Sequence, residues 1–391
     1  MKICLVHEEY PEETNFGGIA TYQKRLALAL KNRGHEVTVI TRALYGEREY
    51  TEDGINIIRI SKNDTDNKVK DYEEYRLKIK DIINDLVKNN KVEVLEVPDW
   101  GAEAIFYQRD RKIPMVIKLH TPLCVWAEFN KNGLGDGIQD EMLKWEDEAI
   151  RSADYLISCT QILKDLVLEK MDLEESKIEV VPNPGNINDF YPMTPFHQSK
   201  TILYCGSLEQ RKGVDVLAKA IPLVMDKLND KDIKFCFIGK DTTRNELGIS
   251  TIEFIKNIIP EEYHSNIEFL GQLPNGDLNV HYNNARIGIV PSKFDNLPYV
   301  AMEQLFTEMP LIASDNTGVR EMMVNNESGL LFRNDDHLDL ANKIIYLYEN
   351  PNIAQKYGKA ARNRMLELYA PDHIAKIMEK IYGGLIDNNS R

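Results

Sequence analysis

Two carboxylates, Asp295 and Glu303, stand eight residues apart across a polar loop and the helix predicted to follow it. Pro298 suits the first turn of that helix, which we expect to run to Phe306. At ~1.5 Å of rise per helical residue, the carboxylates lie on the order of 10 Å apart. That span suits a sugar nucleotide, with one carboxylate near the sugar, the diphosphate at the helix start and the other carboxylate near the ribose. A capping Asp295 and a solvated Glu303 explain the segment equally well.

A second candidate site is the basic segment GSLEQRKG, from Gly206 to Gly213. It lies between a predicted strand and a helix predicted to begin at Val214. Arg211 offers a bidentate fork for phosphate oxygens, and Lys212 offers a point charge. The segment is not a Walker loop, because no glycine directly precedes the lysine and no Ser or Thr follows it. Taken by itself, this segment is better explained as a solvated basic turn. Its presence nevertheless tips the even balance at Asp295 and Glu303 towards a ligand site.

The first half of the chain carries two weaker signals where a strand gives way to a loop. Gly17 and Gly18 precede a helix predicted from Thr21, and glycines there let a ligand approach backbone N–H groups closely. His120 ends a predicted strand, where a side chain can face a ligand crevice. Each of these features, judged singly, is more often structural than functional.

The elements that must position these residues follow from the hydrophobic pattern. Short apolar runs alternate with amphipathic stretches, which predicts an α/β architecture with parallel sheets. Tyr22, Leu26 and Leu30 share one helical face, and Gly34 ends that helix. Predicted strands cover 2–7, 37–41, 55–60, 92–97, 115–120 and 155–158 in the first half, and 201–205, 235–238, 267–270, 287–290 and 311–313 in the second.

The 391 residues are too many for one ordinary core, so we expect two doubly wound domains of similar size. The segment Pro182–Gly185 has two prolines and a glycine, which indicates a hinge. The predicted domains therefore cover 1–185 and 186–370. A helix over 371–391 follows them, and packing back on the first domain is one option for it.

Composition excludes several classes of protein. The net charge is −14, from 62 acidic and 48 basic residues, which argues against nucleic acid as a partner. The five cysteines form no CxxC motif and no zinc-ligand spacing. No apolar run approaches the roughly 20 residues of a membrane span, and none resembles a signal peptide. We expect a cytoplasmic protein, and peripheral contact with the inner face of a membrane stays open.

Taken together, these segments resemble glycosyltransferase family 4, the large retaining group with the GT-B fold. The resemblance covers nearly the whole chain, and its specificity lies in the order and spacing of the segments. The segments that carry it are the early Gly17-Gly18, Arg33-Gly34-His35-Glu36-Val37, Val180-Val181-Pro182-Asn183, Gly206 to Gly213 with Arg211 and Lys212, Phe269-Leu270-Gly271, Asn296-Leu297-Pro298 with Glu303, Gly318-Val319-Arg320-Glu321 and Gly329-Leu330-Leu331.

The resemblance implies two Rossmann-like, doubly wound parallel-sheet domains facing a central cleft. The first would lie on the acceptor side, and the second would bind the sugar nucleotide. Because each holds part of the site, we expect them to close on the nucleotide about the hinge. Gly18 would lend its amide to the donor phosphates, and His120 would contact the donor sugar and stabilise charge at its anomeric carbon. Arg211 and Lys212 would neutralise the diphosphate leaving group.

The resemblance assigns Glu303 to the ribose, Asp295 to the sugar and Leu273 to the base-binding stretch. Further donor-binding positions are Gly206, Asn296 and Leu297. The family pattern is Glu, seven residues, Glu, and Asp295 departs from it by one methylene, which bears on the identity of the donor sugar. The implied reaction retains the anomeric configuration and needs no metal or other cofactor. The chain's Asp-x-Asp, at 64–66, lies in a polar loop that we interpret as a surface turn.

The expected substrates are a nucleotide-sugar donor, with uridine favoured by its frequency in the family, and an unidentified hydroxyl acceptor. A glycan, a lipid-linked sugar and a small molecule all fit that description, within bacterial-type glycan or glycoconjugate biosynthesis. The loop 125–137, with Trp126 and Phe129, is a candidate acceptor wall or an ordinary surface loop, at even odds.

Three other functions fit parts of the pattern. A sugar-nucleotide epimerase of the same fold would need an additional acid/base group, which the sequence does not offer. A phosphorylase would need a lysine for pyridoxal phosphate and usually a longer chain. A non-catalytic sugar-nucleotide binder draws its support from Asp295, whereas the intact His120, Arg211, Lys212 and Glu303 argue against it.

Overall fold

The computed structural model describes residues 1–14, 17–129, 137–193 and 199–389. The chain forms two compact units. Unit 1 comprises Met1–Pro184 together with Pro371–Arg391, and unit 2 comprises Gly185–Ala370.

Unit 1 contains an eight-stranded sheet in the order β3-β4-β2-β1-β5-β6-β7-β8. Every neighbouring pair is parallel except β3 with β4. The strands are β1 (Lys2–Val6), β2 (Glu36–Ala43), β3 (Arg48–Glu52), β4 (Ile55–Ser61), β5 (Val94–Pro98), β6 (Met115–Leu119), β7 (Tyr155–Ser158) and β8 (Ile178–Val180). The helices are α1 (Gly18–Asn32), α2 (Lys68–Lys88), α3 (Ile105–Gln108), α4 (Leu123–Phe129), α5 (Gln139–Ser152), α6 (Gln161–Met171) and α14 (Pro371–Asn389).

The sheet of unit 1 is buried on both faces near its centre, as expected for parallel strands covered by helices. All five residues of β5 and of β6 are buried. The sequence pattern missed β3, because its REYTE sequence is mostly exposed and shows no apolar alternation. Helix α1 begins at Gly18, three residues before the predicted start at Thr21, so Gly18 belongs to its first turn.

Helix α14 packs on unit 1 against α1 and β5. Arg33, just past α1, donates to Asp372 at 2.8 Å and to Glu379 at 2.7 Å, both on α14. Deeper in, the hydroxyl of Tyr382 on α14 donates to the Glu96 carboxylate on β5, and both residues are buried. Because these polar contacts are directional, they fix the helix in one register on the unit.

Unit 2 contains a six-stranded sheet, parallel throughout, in the order β11-β10-β9-β12-β13-β14. The strands are β9 (Thr201–Cys205), β10 (Lys234–Ile238), β11 (Ile267–Gly271), β12 (Ile287–Val290), β13 (Leu311–Ser314) and β14 (Leu330–Phe332). The helices are α7 (Val214–Leu228), α8 (Thr251–Ile258), α9 (Asn275–Asn284), α10 (Tyr299–Phe306), α11 (Val319–Met322), α12 (His337–Glu349) and α13 (Pro351–Leu368). The predicted strands of this half agree with β9 to β13 within one residue at each end, and β14 was not predicted.

Among its parallel strands, each sheet reverses its strand order once, and ligands of doubly wound folds bind at such switch points, outside the carboxyl ends of the strands. In unit 1 the reversal falls between β1 and β5, and in unit 2 between β9 and β12. The loops after these strands are therefore the places where each unit can hold a ligand.

Candidate functional site

The switch point of unit 2 joins two loops, which follow β9 and β12. Arg211 donates to the Phe294 carbonyl at 3.2 Å and to the Glu209 carboxylate at 3.2 Å. The Lys293 amide returns a hydrogen bond to the Arg211 carbonyl at 3.0 Å. The predicted phosphate-binding loop and the predicted carboxylate loop thus form one hydrogen-bonded surface.

Glycine at position 213 makes this close approach feasible. Gly213 is left-handed, with φ +73°, and directly precedes α7. A Cβ atom there would lie 1.8 Å from the carbonyl oxygen of Pro291, on the facing loop. Any side chain would force the two loops apart and strain the backbone.

Lys212 and Asp295 form an ion pair within this surface. Lys212 Nζ lies 2.5 Å from Asp295 Oδ2, and both side chains keep some exposure to solvent. The residue that directly precedes α10 is Pro298, which provides no side-chain cap, so the interpretation of Asp295 as a helix cap is wrong. Asp295 instead pairs with the ammonium group of Lys212, on the neighbouring basic loop.

Glu303 lies inside α10, with 7% of its surface exposed. The alternative of a solvated Glu303 is therefore also wrong. The Tyr282 hydroxyl on α9 donates to Glu303 Oε2 at 3.3 Å and lies 3.3 Å from the Cys205 sulfur. A buried carboxylate held by a tyrosine is well placed to accept hydrogen bonds from a ligand's hydroxyl groups.

The remaining predicted positions of unit 2 lie at the same edge of the sheet. Gly206 directly follows β9, and Leu273 lies in the segment between β11 and α9. Asn296 and Leu297 are buried in the loop before α10. Because all six strands are parallel, the carboxyl ends of β9, β11 and β12 share one edge.

Sequence reasoning missed three residues of this edge. Lys293 is a third cation, which pairs with Asp215 at 2.9 Å and with Asp335 at 3.0 Å. Its burial lowers the pKa, but these two carboxylates outweigh burial and raise it. Glu209 and Tyr282 position Arg211 and Glu303. Lys293 directly follows Ser292 in the polar loop, so its charge was a readable signal, whereas Tyr282 requires the fold to bring it to Glu303.

In unit 1, the glycine pair lies at the start of α1, after β1. Gly17 directly precedes the helix, and its amide donates to the Glu9 carboxylate. A Cβ atom at Gly17 would lie 2.6 Å from Glu9 Oε2. The Glu9 carboxylate therefore binds the amide that directly precedes the first turn of α1.

His120 lies one residue beyond β6, and a buried aspartate holds its backbone. The His120 amide donates to Asp99 Oδ1 at 3.0 Å, and the Thr121 amide donates to Asp99 Oδ2 at 3.1 Å. The His120 ring contacts the Tyr22 ring edge to face, with centroids 4.9 Å apart. Burial, with the nearby charges of Lys118 and His7, holds the pKa of His120 well below 6.5, so the ring is neutral at neutral pH.

A second buried acid holds the next part of the same loop. Glu146 on α5 accepts hydrogen bonds from the Gly101 amide at 2.7 Å and from the Leu123 amide at 2.6 Å. Burial raises the pKa of Asp99 to about 6 and that of Glu146 to about 8. The loops after β5 and β6 are thus fixed by carboxylates that are themselves costly to bury.

His7, directly after β1, faces Glu103 across the switch point of unit 1. His7 Nδ1 lies 3.0 Å from Glu103 Oε1, which also accepts the Glu8 amide at 3.0 Å. Burial lowers the pKa of His7, but the Glu103 charge and hydrogen bond outweigh burial and raise it above 6.5. Sequence reasoning did not single out this pair.

Two further predictions concern the loop 125–137 and the Asp-x-Asp segment at 64–66. Residues 130–136 of the candidate acceptor wall lie outside the described residues, as does the side chain of Phe129. Trp126 is described, and its ring contacts that of Trp100 at 5.8 Å. Asp64, of the Asp-x-Asp segment, is exposed and pairs with Lys68 at 2.6 Å, as a surface turn would.

Within the described residues, no three His, Cys, Asp or Glu side chains are grouped closely enough to hold a metal ion. Among the same residues, no helix combines the length and the apolar character that a membrane span needs.

Comparison with known proteins gives matches over both units. The family described as Glycosyltransferase Family 4 matches residues 16–188, and Glycosyl transferases group 1 matches residues 190–364. A glycogen synthase from Mycobacterium tuberculosis is 22% identical, over 98% of this chain and 94% of that protein.

Two solved structures resemble the whole chain. Sucrose-phosphate synthase from Thermosynechococcus elongatus has a TM-score of 0.79 at 21% identity, over 99% of both chains. HepE from Anabaena, solved in complex with UDP, has a TM-score of 0.74 at 14% identity, over 98% of this chain and 100% of that chain. At these identities the likeness is one of fold, and it confirms the predicted GT-B class with two parallel-sheet α/β units.

Proposed function

Because the chain belongs to the group 1 glycosyltransferases of family 4, we propose that it transfers a sugar from a nucleotide-diphosphate donor to a hydroxyl acceptor, with retention at the anomeric carbon. Membership of the family establishes glycosyl transfer as the class of reaction. The donor, the stereochemistry and the role of each residue are the parts that we propose.

The observation that carries the proposal is the cation cluster at the switch point of unit 2. Arg211 and Lys212 are held there by side-chain carboxylates of Glu209 and Asp295. A diphosphate offers the same type of partner with more charge, so it can compete with these carboxylates for the two cations. In our proposal the two cations bind the diphosphate and stabilise the charge that develops on it as it leaves.

Glu303 would then accept hydrogen bonds from the ribose hydroxyls of the same donor. Its burial and its contact with Tyr282 fix the carboxylate in one orientation. Leu273, Asn296, Leu297 and the Gly206 backbone would complete the donor pocket at this edge.

Transfer would proceed by displacement on one face of the sugar. The bond from the anomeric carbon to the phosphate oxygen breaks, and its electron pair goes to the diphosphate. The acceptor oxygen bonds to that carbon from the same face, and its proton passes to a phosphate oxygen. His120 would contact the sugar as a neutral ring whose backbone Asp99 fixes, while Gly18 would contribute its amide to the phosphates. Asp295 would face the sugar once Lys212 turns to the phosphate.

We propose a uridine nucleotide and no requirement for metal. The UDP complex of HepE supports the choice of base, as that protein shares the fold. Arg211, Lys212 and Lys293 supply positive charge where a metal-dependent enzyme would use a cation. The acceptor would be a hydroxyl of a glycan, a lipid-linked sugar or a small molecule, in the biosynthesis of a glycan or glycoconjugate.

The test is to incubate the protein with a panel of nucleotide sugars and to measure released nucleotide, with and without acceptor mixtures. We expect release from a uridine nucleotide sugar that rises with an acceptor, and NMR of the product should show the donor's anomeric configuration. Binding without release would indicate a sugar-nucleotide binder. A changed sugar still attached to its nucleotide would indicate an epimerase, and an inverted product would contradict retention.

A further inference from the structure

Glu96 lies on β5, the strand beside the one that leads to His120, and it accepts hydrogen bonds from two tyrosines. Tyr22 on α1 donates its hydroxyl to Glu96 Oε1 at 2.8 Å, and Tyr382 on α14 donates to Glu96 Oε2. All three residues have 1% or less of their surface exposed. One carboxylate therefore connects the helix that begins at Gly18 with the helix formed by the segment after residue 370.

The Tyr22 ring links this carboxylate to His120. Its edge-to-face contact with the His120 ring has an interplanar angle of 67°. Lys118 Nζ lies 5.1 Å from the centroid of the same Tyr22 ring, and it donates to the Val181 carbonyl. The ring thus has a hydroxyl held at one end and defined neighbours around it, which leaves it one orientation.

We propose that Tyr22 is a positioning residue for His120, and that the Glu96–Tyr382 contact sets the orientation of the Tyr22 ring. Helix α14 would then influence glycosyl transfer through a chain of three side chains within unit 1. The inference rests on the proposed role of His120, and it adds Tyr22, Glu96 and Tyr382 to the residues on which the rate depends.

Packing alone does not account for this arrangement. A buried carboxylate is costly to desolvate, and an apolar cluster of similar volume would stabilise the unit at least as well. The carboxylate offers directional acceptance of two hydroxyl donors, which apolar packing cannot provide. Burial also raises the pKa of Glu96, against the two tyrosine hydrogen bonds and the charge of Lys118.

The test uses Tyr382→Phe in the full-length protein, because it removes one hydroxyl group far along the chain from His120 and keeps the ring. We expect kcat to fall about two- to tenfold, the effect of one buried hydrogen bond, with the donor KM unchanged. Tyr22→Phe should lower kcat in the same way. The matched control is Tyr107→Phe, since Tyr107 is buried in unit 1 and its hydroxyl accepts a hydrogen bond from the Lys112 amide at 3.2 Å. It should leave kcat unchanged.

A second readout does not depend on activity. With ¹⁵N-labelled histidine, the ring resonances of His120 can be assigned by their loss in His120→Asn. We expect Tyr382→Phe to shift them in the ligand-free protein and Tyr107→Phe not to. Unchanged His120 resonances and an unchanged kcat in a folded Tyr382→Phe protein would overturn the proposal. If the wild type transfers no sugar, the proposed function fails, and the shift still decides whether Tyr382 positions His120.

Discussion

The switch-point loops of the two units are held by opposite arrangements of charge. In unit 1, the buried carboxylates of Asp99 and Glu146 accept hydrogen bonds from backbone amides. In unit 2, the side chains of Arg211 and Lys212 extend to carboxylates that share the loop surface with them. The carboxylates of unit 1 fix the path of the backbone, whereas those of unit 2 bind the charged ends of two long side chains.

The difference indicates what each loop can do when a ligand arrives. The Lys212–Asp295 pair is partly exposed on both sides and contributes little stability, so it can be exchanged for a ligand's phosphates at small cost. Glu209 is buried, but it keeps Arg244 at 3.5 Å as a second partner when Arg211 turns to a ligand. Amides held by a buried acid cannot be exchanged without exposing that acid or breaking its hydrogen bonds. Unit 2 therefore has the features of a binding surface, and unit 1 those of a rigid support for His120.

The largest expected effect comes from removing an exchangeable cation. Arg211→Ala should lower kcat/KM for the donor about a hundredfold, because it removes charge-assisted contacts that strengthen as charge builds on the diphosphate. Both kcat and KM should change. Arg244 is the matched control, since it also pairs with Glu209 and its side chain is 77% exposed. If Arg211→Ala and Arg244→Ala had the same steady-state kinetics, Arg211 would not belong to the donor site.

Because a buried acid, Asp99, fixes the loop after β6 in unit 1, the free energy of unfolding should depend on pH. The folded-state pKa of Asp99 is raised to about 6, above its ordinary value, so the folded state keeps a proton that the unfolded state has released. The stability from this protonation is fully present below about pH 4 and is lost as pH rises to 6. The penalty of Asp99→Asn should therefore be about 2 kcal/mol larger at pH 4 than at pH 7.

Urea unfolding followed by tryptophan fluorescence measures this, because Trp100, Trp126 and Trp145 all lie in unit 1. The stability penalty of Glu146→Gln should also be larger at low pH, and it should fall over a pH range that extends to about 8. A penalty that is equal at both pH values would show that folding does not raise the pKa of Asp99.

The two carboxylates of unit 2 should separate into two roles. Glu303→Gln should raise the donor KM about tenfold with little change in kcat, because ribose contacts are equal in the ground and transition states. Asp295→Asn should lower kcat about tenfold, since the sugar develops charge beside it. Free-nucleotide binding should not weaken in Asp295→Asn, because the substitution releases Lys212 to the phosphate.

Isothermal titration with UDP decides this point. Weaker UDP binding in Asp295→Asn, with turnover per bound donor intact, would place Asp295 away from the sugar. Asp295→Glu should alter the preference among donor sugars and leave UDP affinity unchanged.

The smallest expected effect is that of a chelator. If Arg211, Lys212 and Lys293 neutralise the diphosphate, EDTA should leave the transfer rate unchanged, and added manganese or magnesium should not raise it. Activity lost with EDTA and restored by either ion would assign the charge to a metal.

The sequence was sufficient wherever a local pattern determines structure. Apolar runs predicted the central strands, and Pro298 marked the start of α10. Short or exposed strands were not predicted. The REYTE sequence of β3, for example, carries no apolar alternation. The same distinction applies to the residues of the candidate site. Arg211 and Lys212 were visible because they adjoin a helix start, whereas Asp99, Glu146 and Tyr282 act through partners distant in the chain.

The return of the chain to unit 1 at Pro371 has a consequence for biosynthesis. A ribosome makes residues 1–184 first, then the whole of unit 2, and only then α14. Unit 2 is thus a continuous stretch that can mature while the protein is still being made. Until Tyr382 leaves the exit tunnel, Glu96 has one of its two tyrosine donors, and Arg33 has neither of its acidic partners on α14. Emergence of that helix is the step that completes the earlier-made half of the protein.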